Sequence, residues 1–375
     1  MSRMPVPWQS WLALVALVGA LVLPLTRDGS AWLWQDPAGI GGALAIAAAA
    51  ALGLRRQADW LTDIVLAVVA HGVAIELLLR VPDLVGKAGW GFWLTTLAAW
   101  LLAWLLVARL STRMPRSAGA RWSVNLAVPL IFGAWLLLLW QVVVVGAGVP
   151  AVLLPPPSAI WLKLIADPGQ VWADFSQTFL RSVLIGYVAG CGLGFLVALI
   201  ADRFAFARLG LLPIGSFVSA LPLVGIAPIL VMWFGFDWPS KAAVVVVMTF
   251  FPMLVNTVAG LNASDSIDRD LLRTYAAGYG QSLMKLRLPA ALPFIFNALK
   301  INSTLALIGA IVAEFFGTPI VGMGFRINIA DGRLEVDLVW AVIAVAALAG
   351  SAFYGIVALI ERSATFWHPS FRQSS

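Results

Sequence analysis

The chain has 375 residues, of which 61% are hydrophobic and only 11% charged, and its formal net charge is +6. A soluble globular domain carries roughly 25% charged and 45–50% apolar residues, so this composition excludes one and indicates an integral membrane protein. Helices are expected and a barrel is not, because runs such as Leu130–Trp140 and Ala242–Met253 are apolar all round apart from Thr249, whereas barrel strands alternate over about ten residues. The basicity then reads as loop charge that sets orientation, not as a nucleic-acid footprint.

A bilayer core about 30 Å thick needs roughly 20 apolar residues per helix. Four spans are predicted first: Trp8–Leu25, Ala38–Leu54, Trp60–Leu79 and Gly91–Val107. No small-x-small cleavage site closes the first apolar run, so it reads as a retained helix and not a leader. The second is built mostly of Ala, Gly, Ile and Leu, small enough for neighbouring helices to approach closely. The third carries Asp63, His71 and Glu76. These residues read either as a proton relay or as two end-of-helix acids that leave a neutral His71 at the centre.

The Arg-, Ser- and Gly-rich stretch Leu110–Arg121 ends this extension. The division is therefore 1–110 for the N-terminal four-helix extension, 111–121 for a cytoplasmic linker and 122–375 for the remainder. Six further spans are predicted at Val124–Val145, Ser182–Ala201, Leu209–Trp233, Ala242–Leu261, Ala298–Phe316 and Leu338–Ile360, making about ten in all. Between the first two of these lie Leu154-Pro-Pro-Pro-Ser158, Ala159–Ile165 and Trp172–Leu180. The prolines force an extended turn, and the amphipathic spacing after them predicts a short helix lying flat on the outer face. Cys191 sits in an apolar run with nothing basic beside it, which predicts a buried, inert thiol.

With the N-terminus inside and ten spans, 16 of the 24 Lys and Arg fall on the inner side and 8 outside. Both termini are therefore expected in the cytoplasm, together with the polar loop 262–297. In that loop Asp265 is a plausible N-cap, and Ile267, Leu271, Leu272 and Tyr275 recur at helical spacing. Ala276, Ala277, Gly278 and Gly280 suit a sharp turn or a close approach by another surface. Gln281–Leu288 then predicts a second short helix before Pro289, with Lys285 and Arg287 near its end. Helices this short need something to pack on.

This loop resembles the cytoplasmic motif of membrane-spanning permease subunits of binding-protein-dependent ATP-binding-cassette importers. That motif reads Glu-Ala-Ala, three residues, Gly, and later a hydrophobic-x-Leu-Pro ending. Asp270-Leu271-Leu272 stand for the first three, Ala276 for the Gly, and Leu286-Arg287-Leu288-Pro289 for the ending, so the first half departs from the pattern and the second keeps it. The resemblance runs over Val149–Arg362. It includes Ser219–Pro228, Trp233–Phe236, Ser240–Ala242, Phe250–Pro252, Leu288–Pro293, Glu314 and Gly322–Gly324, and it is similar to the nitrate, sulfonate, taurine and thiamine-pyrimidine-precursor branch.

The resemblance implies an all-α integral membrane fold whose last six helices form a type I importer permease core in the bacterial cytoplasmic (inner) membrane. It further implies a homodimer around a central pathway, a separate ATP-binding subunit that holds ATP and Mg, an extracytoplasmic solute-binding protein, and a small organic solute of the sulfonate, nitrate or thiamine-precursor type. Asp270, Arg273, Tyr275, Ala276, Gly278, Gly280 and Pro289 become the expected contacts to the ATPase. No Gly-rich phosphate cradle with Lys-Ser/Thr occurs in the sequence, and two His and one Cys do not supply a nucleophile or metal set. No cofactor, metal or catalytic residue is therefore expected in this chain. Glu314 reads either as a pathway acid or as a helix-end residue paired with Arg326; Asn297, Asn302, Ser303 and Thr304 either line the pathway or bond neighbouring helices. The alternative from another class is an ion-coupled secondary transporter using Asp63, His71 and Glu314.

Overall fold

Side-chain caps and prolines mark where several helices of this chain begin. The computed structural model describes residues 7–55, 59–113, 117–219, 221–317 and 320–366. The described residues form no strand, only one isolated antiparallel bridge between Thr26 and Ala88. The chain divides into two units, Met1–Trp161 and Leu162–Ser375.

The first unit holds α1 (Trp8–Val22), α2 (Pro37–Gly53), α3 (Trp60–Arg80), α4 (Trp90–Ser111) and α5 (Ala118–Ala147). Asp36 caps α2 by accepting the Ala38 N–H at 3.3 Å, and Pro37 occupies the first turn, where a missing N–H costs nothing. The most enclosed helix is α4, with Ala98, Ala99, Leu102 and Leu106 buried, and α5 contributes Trp135 and Val142 to the same core. The predicted span Val124–Val145 thus lies in α5, within the first unit. Ser117 caps α5 through the Ala120 N–H at 3.2 Å, so helix already covers much of the expected linker, whose residues 114–116 lie outside the described set.

In chain order come α6 (Pro157–Ala166), α7 (Pro168–Phe175), α8 (Leu184–Arg203), α9 (Ala205–Ser219), α10 (Leu223–Phe234), α11 (Trp238–Asn262), α12 (Ser266–Thr274), α13 (Tyr279–Ser282), α14 (Leu288–Glu314), α15 (Met323–Gly332) and α16 (Val336–Ala364). The core of the second unit lies between α8, α11 and α14. Gly186, Gly190 and Gly194 recur every fourth residue along α8, and a Cβ on Gly186 would lie 2.6 Å from Val245 Cβ. This stripe lets α8 and α11 approach closely without a hydrophobic drive from lipid.

Three predicted elements differ in outline. The single span over Leu209–Trp233 is two helices, α9 and α10, because Pro222 is extended (ψ 122) and caps the second; Ala220 lies outside the described residues. The segment Trp172–Leu180 is not a separate flat helix. It joins α8 through the widened π-type turn Ser176–Val183, giving continuous helix over Pro168–Arg203, and its polar residues Gln177, Thr178 and Ser182 are buried. Likewise Gln281–Leu288 runs into α14 through a π-type turn at Leu283–Arg287, so helix continues from Tyr279 to Glu314. Such a turn offsets the hydrogen-bond register just before Pro289, which has no N–H to donate.

Among the described residues seven helices are long and apolar enough to cross a membrane, and α1, α2, α6, part of α9 and α10 are shorter apolar helices. An exact count near ten therefore depends on those shorter helices.

Candidate functional site

The polar loop after α11 has two halves of different character. In the first, Asp265 accepts the Ile267 N–H at 3.0 Å and starts α12, with Asp268 in its first turn and Arg273 in its last, as the helix dipole favours. Asp270 and Arg273 pair at 3.1 Å on the open surface, where such a pair is worth a few tenths of a kcal/mol. No residue of α12 is buried, and Ile267, Leu271 and Tyr275 are 74%, 54% and 77% exposed. This half is an amphipathic helix with its apolar face uncovered.

The turn that follows is closed by Ala276 N–H to Arg273 O at 2.9 Å and Ala277 N–H to Leu272 O at 3.0 Å. Ala276 has φ 52, the left-handed region that glycine enters freely and alanine does not. It stands where the motif carries Gly, and this backbone costs alanine a strain that glycine would not bear. Gly278 donates its N–H to Gln281 Oε1 at 3.1 Å and opens α13. A Cβ added to Gly278 or Gly280 would meet nothing within 4 Å, so packing within this chain does not require their small size.

The second half is fastened from below. Arg287 donates to both carboxylate oxygens of Asp202 at 2.9 and 2.5 Å, and its Nε donates to Leu261 O at 3.0 Å. Tyr279 Oη donates to Asp202 Oδ2 at 2.7 Å, and the Arg203 guanidinium lies 4.8 Å from the Tyr279 ring centroid. Pro289 follows at the start of α14. Sequence reasoning missed Asp202; its only signal was a lone acid ending an apolar span beside an arginine.

Glu314 ends α14 at 2% exposure and forms a second site. Thr178 Oγ1 donates to its Oε1 at 2.7 Å, and the Gly324 N–H donates to its Oε2 at 2.6 Å. Thr178 in turn accepts the Met323 N–H, and Asp174 accepts the Gly322 N–H, each at 2.8 Å. Three successive N–H groups at the start of α15 are thus satisfied by Asp174, Thr178 and Glu314. Gly322 has φ 144, and a Cβ there would lie 2.8 Å from the Glu314 carboxyl, so this position requires glycine. Arg326 pairs with Asp174 at 2.8 Å and not with Glu314. Buried Lys241 donates to Phe236 O at 2.6 Å. At the Asp174 side lies a cavity of about 300 Å³, lined by Lys163, Asp167, Gln170 and Arg326 and by apolar residues of α16.

Asn302 and Ser303 are fully buried. Asn302 Nδ2 donates to Thr249 O at 2.7 Å and to Cys191 Sγ at 3.2 Å, bonding α14 to α11 and α8, and Ser303 Oγ donates to Lys300 O at 2.7 Å. The exposed stripe of the same helix carries Asn297 and Thr304 among Phe294, Ile301 and Ile308. In the first unit, Asp63 receives Arg109 Nε at 2.6 Å and is also paired with Arg113, whose guanidinium lies 4.2 Å from the Trp60 ring centroid. Asp59, also bound by Arg109, has its carboxyl held below the usual range, chiefly by the Thr62 hydroxyl. His71 Nδ1 donates to Ala67 O at 2.7 Å, and Glu76 pairs with Arg80 at 2.7 Å. Among the described residues no group of three or more His, Cys, Asp or Glu is placed to hold a metal ion.

Residues 190–365 match the family described as the binding-protein-dependent transport system inner membrane component. A probable ABC transporter permease protein of Haemophilus influenzae is 33% identical over 218 residues, covering 58% of this chain and 88% of the relative. The riboflavin transport system permease protein of Chloroflexus aurantiacus is 32% identical over 274 residues, covering 71% of this chain and 98% of the relative. A putative aliphatic sulfonates transport permease protein of Bacillus subtilis is 29% identical over 252 residues, covering 67% and 89%. These relatives are matched almost end to end, while more than a quarter of this chain has no counterpart in them.

Proposed function

The chain belongs to the family of binding-protein-dependent transport system inner membrane components, and on that premise we propose that two copies form the solute path of an ATP-driven importer in the bacterial cytoplasmic membrane. A separate ATP-binding subunit holds ATP and Mg, an extracytoplasmic binding protein delivers the solute, and this chain contributes no catalytic residue. The observation that carries the reading is the uncovered apolar face of α12, Ile267, Leu271 and Tyr275, on a helix too short to persist without a partner. We assign the ATPase contact to this face and its turn, with Asp270, Arg273, Tyr275, Ala276, Gly278 and Gly280 at the surface and Pro289 setting the direction of α14. ATP acts through differential contact: the subunit must bind the loop unequally in its open and closed states, or hydrolysis shifts nothing.

The solute is a small organic molecule, in keeping with relatives named for riboflavin, aliphatic sulfonates and formylaminopyrimidine. Its path is assigned to the stripe of α14 that carries Asn297 and Thr304. Asn302 and Glu314 are assigned to holding the surrounding helices, and buried Ser303 bonds its own helix at Lys300 O. Both termini and the α12 loop face the cytoplasm, and helices α1–α4 are an added membrane domain. Reconstitution into proteoliposomes tests the reading: uptake requires ATP, the ATP-binding subunit and the binding protein, and it survives collapse of ion gradients. Uptake by this chain alone down a proton gradient would overturn it.

A further inference from the structure

We propose that Asp202 is a positioning residue that makes the second half of the coupling loop one rigid body with the inner ends of α8 and α11, an inference that rests on the importer reading. All three guanidinium nitrogens of Arg287 are engaged, two on Asp202 at the end of α8 and one on Leu261 O near the end of α11. Tyr279, at the start of α13, donates to the same carboxylate, and Arg203 covers its ring. Two segments of the loop therefore meet on one carboxylate at the end of α8, whose side chain is 3% exposed, and Arg287 extends the tie to α11.

A buried ion pair adds little net stability compared with apolar residues of the same volume. What a two-pronged arginine–carboxylate pair does supply is a fixed distance and angle. The contrast within the loop gives that geometry a use. No residue of α12 is buried, and among the described residues no hydrogen bond ties its side chains to the membrane helices, so it presents a surface, while α13 and the turn after it are tied down. A displacement applied to α12 needs a stiff connection to reach the membrane helices, and the Asp202–Arg287–Tyr279 cluster is that connection.

The test uses the complex purified with its ATP-binding subunit, in a Cys191→Ala background, with spin labels at Ile200 and Met284, both exposed. Distances are measured by pulsed electron paramagnetic resonance with ADP and with ATP under non-hydrolysing conditions. In the otherwise unchanged protein, the Ile200–Met284 distance within each copy stays narrow in both nucleotide states, while labels at Arg269 in the two copies, on the side of α12 away from Ile267 and Leu271, change their separation. Asp202→Asn broadens the Ile200–Met284 distribution and makes it nucleotide-dependent, and Asp202→Glu restores much of the narrow distance. Tyr279→Phe, which removes only a hydroxyl, gives a smaller broadening and serves if Asp202→Asn does not assemble. An invariant Ile200–Met284 distance in Asp202→Asn, or in Tyr279→Phe where only that variant assembles, overturns the proposal. So does a nucleotide-dependent distance in the unchanged protein. Absence of any Arg269 response in the unchanged complex counts against the importer reading itself.

Discussion

Replacing Glu314 with alanine removes the two acceptors that hold Thr178 and the Gly324 N–H at 2.7 and 2.6 Å. A buried donor left without its acceptor costs about 1–3 kcal/mol, so the two together cost roughly 2–6 kcal/mol. The loss falls on the second unit, because these bonds tie α15 to the end of α14 and to the turn before α8. At 2–4 °C per kcal/mol, the melting temperature falls on the order of 10 °C. Glu314→Gln keeps one acceptor for Gly324 and loses about half as much. Fluorescence-detected melting in nanodiscs reads the first quantity, and amide exchange at Gly322, Met323 and Gly324 reads the second. A Glu314→Ala protein that melts with the unchanged protein and keeps those amides protected would refute the reasoning. If it also lost transport, the residue would belong to the solute path.

Ala276, at φ 52, gives a second prediction. Ala276→Val strains the left-handed turn by about 1–3 kcal/mol and weakens capture of the ATP-binding subunit in a pull-down, while Ala276→Gly retains or strengthens it. Asp63→Asn removes the carboxylate 2.6 Å from buried Arg109, which keeps Asp59 at 3.1 Å, so the cost stays below the roughly 3–5 kcal/mol of a buried charge stripped of its partner. It therefore lowers thermal stability but leaves uptake dependent on ATP and independent of the proton gradient. At the start of α11, the Asp237 carboxyl is held below its usual range, first by the Trp238 N–H and then by the Gln177 amide. That contribution is present above the ordinary carboxylate pKa and is lost as pH falls through the lowered one. Asp237→Asn consequently shows a shallower fall in melting temperature between neutral pH and acid than the unchanged protein.

The membrane class and most helices were legible in the sequence because a long apolar run has few other stable forms. The start of α12 was legible too: Asp265 is a local cap, and Ile267, Leu271 and Tyr275 reveal their face by spacing alone. The ties that complete both sites were not. Glu314 finds Thr178 across 136 residues, and Arg287 finds Asp202 across 85, and no local propensity encodes such a pairing. The faces of α14 were also hidden. A helix apolar on nearly every side gives no period that separates buried Asn302 from exposed Asn297. The amphipathic spacing of Trp172–Leu180 was real, but its polar side meets the start of α15 and not water.

The central claim, that α12 is where an ATP-binding subunit acts on this permease, is tested most directly by a photo-crosslinker placed at Leu271 in the assembled complex. A crosslink to the ATP-binding subunit whose yield differs between ADP and ATP states is the predicted result. A complex that assembles and transports yet yields no crosslink from Leu271, Ile267 or Tyr275 would contradict it.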